Sequence, residues 1–231
     1  IPTILNSTER LKELAKNLEV YYLANKSDNL YFAILGDCTQ SKTKDTDLDL
    51  EIESIGKQIF KELNQKYPSN NDYGRFYFMY RERTWNEKES CFLGWERKRG
   101  LLKQFNEYVL GKSENKFKVN TMNRIPDAKY VITLDADTNL VLNSAFELIG
   151  AMAHILNKPV LNQEKTKVIA GHGILQPRVG IDLRISNKTI FSKIFAGAGG
   201  IDSYTNAISD VYQDNFDEGI FTGYTTIRWA L

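Results

Sequence analysis

Cysteine is scarce. Cys38 and Cys91 are the two in 231 residues, too few for a disulfide framework, and neither has a CxxC or histidine neighbour that would suggest zinc. They read as reduced thiols of a cytosolic environment. Long apolar runs are missing as well: nothing approaches the roughly 18 to 20 residues that cross a bilayer, and no signal-peptide pattern is present. The segment by itself is expected to be soluble, with no direct membrane span. Excess charge is also absent. With 30 basic and 29 acidic side chains and a net charge of +1, nothing favours nonspecific nucleic-acid binding. A partner has to be recognised by a site.

What is present is a core. Hydrophobic residues make up 42% of the chain and the five prolines are scattered, which fits a single globular domain over 1–231. There is no repeat, no low-complexity tract and no linker. The chain opens on Ile1 without a methionine and closes on "TTIRWAL" without a polar tail, so a fragment of a larger chain with flanking domains is expected.

Strand-like and helical patterns alternate. "IPTIL" reads as a strand, and Ser7 and Thr8 offer N-caps to a helix with Leu11, Leu14, Leu18 and Tyr22 at helical spacing. "NLYFAILGD" is a second strand, ending on Gly36 and Asp37. A polar stretch from Thr39 to Thr46 leads into an amphipathic helix with Leu48, Ile52, Ile55, Ile59 and Leu63 on one face. "RFYFMYR" is a third strand, and "RKRGLLKQFNEYVL" a helix that Gly111 stops. "KYVITL" is a fourth strand, and Ser144 with Glu147 forms a capping-box pattern for "SAFELIGAMAHIL". "GILQPRVGI" is a fifth strand-like run, and loops and short helices are expected from Ile185 onward. Four strand–helix alternations predict a mostly parallel, Rossmann-like α/β sheet flanked by helices.

The fourth strand carries the chemistry. "YVITLDADTNL" places Asp135 and Asp137 one residue apart at a strand end, where ligands of open parallel sheets bind. Two adjacent carboxylates resist joint ionisation unless a cation stands between them. Hard ions such as Mn2+ or Mg2+ take carboxylate oxygens and complete their shell with water and substrate phosphates. A metal-bridged phosphate or diphosphate site follows. The plainer alternative is that one aspartate caps the next helix and the other is solvated. Asp37, at the end of another strand, favours the site.

"WERKRG" supplies positive charge at a helix start, where Arg97, Lys98 and Arg99 oppose the helix dipole. A phosphate nearby would justify them, since Arg gives bidentate contacts and Lys a point charge. A solvated basic turn is the bland alternative. "DTDLDL" from Asp45 resembles a calcium loop, but Leu50 stands where the turn needs Gly and Gly56 where it needs Glu, so it reads as a capped helix start. His154 reads as a helix-surface residue. His172, between two glycines, is a secondary candidate for a metal or phosphate ligand.

Taken together, "PT" in the first strand, the strand ending at Asp37, "RKRG" and "LDAD" resemble the nucleotide-sugar core of GT-A glycosyltransferases, the inverting processive type that includes cellulose synthase. The longer strings "GWERKRG", "YVITLDADT", "LIGAMAH", "GILQPRVG", "SDVYQD" and "EGIFTG" are similar to the glycosyltransferase segment of cyclic β-1,2-glucan synthases, from Ile1 to about Gly223. The resemblance implies a UDP-glucose donor, a divalent cation, a glucan acceptor and transfer with inversion. Thr3 and Asp37 would hold the uridine, and Lys98 and Arg99 would flank the diphosphate or sugar. Asp135 would meet ribose or metal, Asp137 would coordinate the metal, and Gln176 and Arg178 would contact substrate. An inverting transfer needs a general base near the acceptor hydroxyl. Glu218 and Asp214 are the visible carboxylates. The base is expected beyond Leu231, with Glu218 shaping the acceptor side. The tail "YTTIRWAL" departs from the Gly-Lys-Gly continuation of the family. The resemblance also implies a membrane-associated parent with its transfer site on the cytosolic side of the inner membrane.

Two other functions compete. A noncatalytic nucleotide-sugar or glycan-binding module would bind without turnover. An aspartate-dependent phosphatase would use Asp135 as nucleophile and Asp137 as acid, but its motif wants a threonine where Asn139 stands.

Overall fold

The computed structural model describes residues 1–70, 73–177 and Asn215, and the backbone of 226–229. Its centre is a four-stranded sheet built from β1 (Pro2–Leu5), β2 (Phe32–Cys38), β3 (Phe76–Arg81) and β6 (Phe117–Asn120), in the order β1-β2-β3-β6. The first three strands run parallel, with Pro2 beside Leu35 and Phe32 beside Phe76, and β6 lies antiparallel to β3. All six residues of β3 are buried, as expected for a strand covered on both faces.

The period-2 alternation of β2 and β3 divides the core in two. Ile34, Phe76, Phe78 and Tyr80 face α1 (Thr8–Ala24) and α2 (Asp47–Lys66), packing with Leu11, Leu14, Leu18, Ile52 and Phe60. Leu35, Tyr77 and Met79 face the other way, toward α3 (Arg97–Val109) with Leu101. Gly56 of α2 lies against the Phe78 ring, where a Cβ has no room. Ser7 caps α1 by accepting from Arg10 N. Thr46 and Asp49 form a reciprocal capping box on α2, so "DTDLDL" is a helix start. Gly111, at φ +65°, ends α3 in the left-handed conformation.

Three sequence expectations change. β7 (Tyr130–Thr133), the expected fourth parallel strand, is not hydrogen-bonded into the central sheet. It pairs antiparallel with β11 (Thr226–Trp229), which pairs antiparallel with β10 (Ile174–Leu175). Periodicity identifies a strand but not its neighbour, and here the tail segment supplies it. The place in the central sheet goes to β6, whose four residues FKVN carry too short an alternation to be read from the sequence. α4 (Ser144–Ala153) starts at Asn143, at φ 60° with no side-chain cap, and the Ser144 hydroxyl donates to Val141 O at 2.7 Å instead of closing a capping box.

Two further hairpins carry no clear sequence pattern: β4 (Thr84–Asn86) with β5 (Cys91–Leu93), and β8 (Val160–Leu161) with β9 (Val168–Ala170). The described part is therefore α/β, with a mixed, mostly parallel central sheet and four α-helices. No helix among the described residues is long and apolar enough to cross a membrane.

Candidate functional site

Parallel strands β2 and β3 end side by side, one on Asp37 and Cys38 and the other on Arg81. Arg81 donates from Nε to Asp37 Oδ1 and from Nη2 to Asp37 Oδ2, each at 2.6 Å. Both side chains are about 2% exposed. This bidentate fork is the strongest geometry an arginine and a carboxylate can form. The remaining donors of Arg81 reach the start of α3: Nη1 donates to Trp95 O at 2.8 Å and Nη2 to Arg97 O at 2.7 Å. Gly94 lies flat against this pair, and a Cβ there would collide with Asp37 Oδ1 and the guanidinium.

The α3 start is strained. Glu96 and Arg97 have φ of 49° and 50°, a left-handed conformation that costs a non-glycine residue about 1–3 kcal/mol. The turn carries Lys98 to Asp135, with which its ammonium forms an ion pair. Arg99 points outward, 79% exposed, and pairs with Glu96. One unbroken set of contacts thus runs from Asp37 through Arg81 and the α3 turn to Lys98 and Asp135. The sequence leads one to expect Asp37, Lys98 and Asp135 around one crevice; the structure connects them through Arg81 and the α3 turn, with Asp37 itself buried.

The loop after β7 is held from the other side by α1. The amide of Thr138 donates to Asp135 O at 3.0 Å, closing a turn that carries Asp135 half-buried and Asp137 exposed. Arg10 Nη2 donates to Ala136 O at 3.1 Å, between the two aspartates. The Tyr21 hydroxyl stands 3.0 Å from Thr138 O and 3.1 Å from Asn139 Oδ1. Asn25, fully buried, donates to Val141 O at 3.1 Å and accepts from Ala145 N at 3.0 Å. These three side chains had no motif to announce them. Arg81 had a signal: a basic residue closing an apolar strand, matched by an acid near the end of the strand before it.

A second buried charge cluster braces the same strand ends. Arg83 pairs with Asp49, and the Tyr80 hydroxyl donates to Asp49 Oδ1 at 2.6 Å. Burial alone would raise the Asp49 carboxyl, but hydrogen bonds from Arg83, Thr46 and Tyr80 outweigh it and hold it below the usual carboxylate range. Cys38 lies beneath this cluster. Burial, reinforced by the Asp37 charge, pushes its thiol up to about 12, so it stays protonated and is no nucleophile.

The remaining candidates are more dispersed. Thr3 is half-buried on β1, level with Gly36. Gln176 is half-buried just after β10. His154 is exposed beyond α4, and exposed His172 bonds through its backbone to Asn157 O at 3.0 Å. Arg178, Asp214 and Glu218 lie outside the described residues. A cavity of about 670 Å³ is lined by Pro2, Tyr31, Leu35 and Tyr77 of the central sheet region and by residues 130–134 of β7 and its end, which lead directly into Asp135. Its wall is mostly apolar, and none of Asp37, Lys98, Asp135 and Asp137 lines it.

Among the described residues no group of three or more His, Cys, Asp or Glu side chains is placed to hold a metal. Two carboxylates on one turn fit a different case, a hard cation that takes one or two protein oxygens and completes its shell with water and phosphate.

Comparison with known sequences bears on this arrangement. No protein-family model matches the chain. Over 225 residues, 96% of its length, it is 37% identical to cyclic beta-(1,2)-glucan synthase NdvB of Rhizobium meliloti (strain 1021). This chain is related to a segment of that synthase. It spans about 8% of the length of that relative. The aligned stretch takes in nearly all of the chain, and with it the strand ends, the α3 turn and the DxD loop.

Proposed function

We propose that this chain is the donor-binding core of a metal-dependent, inverting glucosyltransferase of the GT-A type, using UDP-glucose to extend a β-1,2-glucan. The observation that carries the reading is the contact set joining Asp37, Arg81, the α3 turn, Lys98 and Asp135. It gathers basic groups and a DxD turn in a chain related to a glucan synthase segment. Lys98 meets the diphosphate, and Arg99, which points outward and pairs with Glu96, flanks the diphosphate or sugar only on leaving that partner. Lys98 neutralises Asp135 until the donor arrives and then turns to the phosphate oxygens. Asp135 and Asp137 hold Mn2+ or Mg2+, which when bound supplies positive charge to offset the departing UDP. Thr3 contacts the uridine and Gln176 the substrate; Arg178 as a substrate contact and Glu218 on the acceptor side are carried by the resemblance alone, since both lie outside the described residues. In the parent protein the transfer site faces the cytosol.

Calorimetry with manganese present tests this reading. UDP binds to the folded chain in the presence of the cation and only weakly after chelation, and Asp137→Asn abolishes that difference. A folded protein that shows no heat at millimolar UDP, or an Asp137→Asn variant that binds as the unaltered chain does, overturns it.

A further inference from the structure

Asp37 poses a problem for any direct ligand role. Both of its carboxylate oxygens are occupied by Arg81, Oδ1 also accepts from Cys38 N at 2.9 Å, and the side chain is about 2% exposed. A nucleotide cannot reach it without breaking a buried bidentate pair. Arg81, for its part, spends its other contacts on the carbonyls of Trp95 and Arg97, the residues on either side of Glu96. The first carbonyl precedes and the second closes the two-residue left-handed segment Glu96–Arg97, which a basic helix start would not adopt unaided. Gly94 and Gly100 leave the room this requires: a Cβ at Gly94 would strike the ion pair, and one at Gly100 would strike the Trp95 carbonyl.

We infer that Asp37 and Arg81 form a positioning pair whose task is to hold the Glu96–Arg97 turn in its strained form and so aim Lys98 at the anionic group of the ligand. Arg81 acts on the ligand through the turn, and Asp37 acts through Arg81 by fixing the guanidinium plane. Lysine cannot replace Arg81, because a single ammonium cannot fork onto Asp37 and also span two carbonyls. This inference rests on the proposed donor site but assigns Asp37 a different part in it, shaping the phosphate end without touching uridine.

The test measures UDP, ADP and inorganic diphosphate affinity, with manganese, for the full chain and for Arg81→Lys, Asp37→Asn, Lys98→Ala and the Arg81→Lys/Lys98→Ala pair. Arg81→Lys and Asp37→Asn each weaken UDP and inorganic diphosphate alike, by about tenfold, the worth of one charge-assisted contact. The preference of UDP over ADP is unchanged, and the double variant is no weaker than Lys98→Ala alone. Amide exchange without ligand provides a second readout. Residues 95–99 exchange faster in Arg81→Lys and Asp37→Asn but not in Lys98→Ala, which a global loss of stability would not reproduce. Should Arg81→Lys not fold, Asp37→Asn carries both measurements.

A shift in the UDP to ADP preference in Asp37→Asn places Asp37 on the nucleoside and overturns the inference. Full additivity with Lys98→Ala, or unchanged exchange in the turn, overturns it as well. Binding of diphosphate without preference for UDP overturns the donor reading and leaves the positioning pair standing. Absence of any binding by the unaltered chain overturns both.

Discussion

Asp37 and Asp135 look alike in the sequence, each an aspartate that ends or follows an apolar strand, yet the fold gives them opposite circumstances. Asp37 is sealed, with both oxygens forked onto a buried arginine. Asp135 is half-open, with a side-chain exposure of 21% and a flexible lysine as partner. The contrast is between a sealed carboxylate and an accessible one. A buried charge has already exchanged its water for a fixed partner and is costly to disturb, whereas a rim charge keeps water and an exchangeable partner.

The largest expected effect breaks the sealed member of the comparison. Arg81→Met leaves the Asp37 charge buried without compensation, and urea unfolding should record a loss of about 3–5 kcal/mol. Lys98→Met, at the open member, should cost within about 1 kcal/mol. Equal losses would mean that the two pairs do not differ in kind.

A steric change comes next. Gly94→Ala pushes a methyl into the Asp37–Arg81 pair, and overpacking of this sort costs about 1–3 kcal/mol. The measurement is again the unfolding midpoint, and a neutral result would show that the ion pair shifts freely.

The smallest effect sharpens the comparison through pH. Because the Cys38 thiol is raised to about 12 in the fold and ionises near 8.5 when unfolded, its contribution to stability is complete below about pH 8.5. It fades as pH rises toward 12. Alkylation at pH 8 should therefore label half-buried Cys91 on its hairpin while Cys38 stays unmodified in the native state.

Much of the frame was legible because local physics set it. Helical spacing marked α1, α2 and α3, the polar stretch ending at Thr46 marked the start of α2, and unbroken apolar runs marked β2 and β3. The destination of β7 was not legible. Its partner β11 is more than ninety residues away, and a strand's own pattern carries no address for its neighbour. The site was half legible for a similar reason. Asp135, Asp137 and Lys98 stand in short motifs, whereas Arg10 and Tyr21 on α1 and Asn25 just after it look ordinary until the fold lays the 135–141 loop across them.

By itself the sequence determined that "LDADT" would be a pair of carboxylates at a strand end and that "RKRG" would be a basic helix start, since spacing and polarity decide both locally. Which acid is sealed and which stays at the rim depends on the tertiary fold. Asp37 and Arg81 meet because β2 and β3 run parallel and in register across the sheet, and their burial together fixes one carboxylate in the fold while Asp135 and Asp137 remain at the rim.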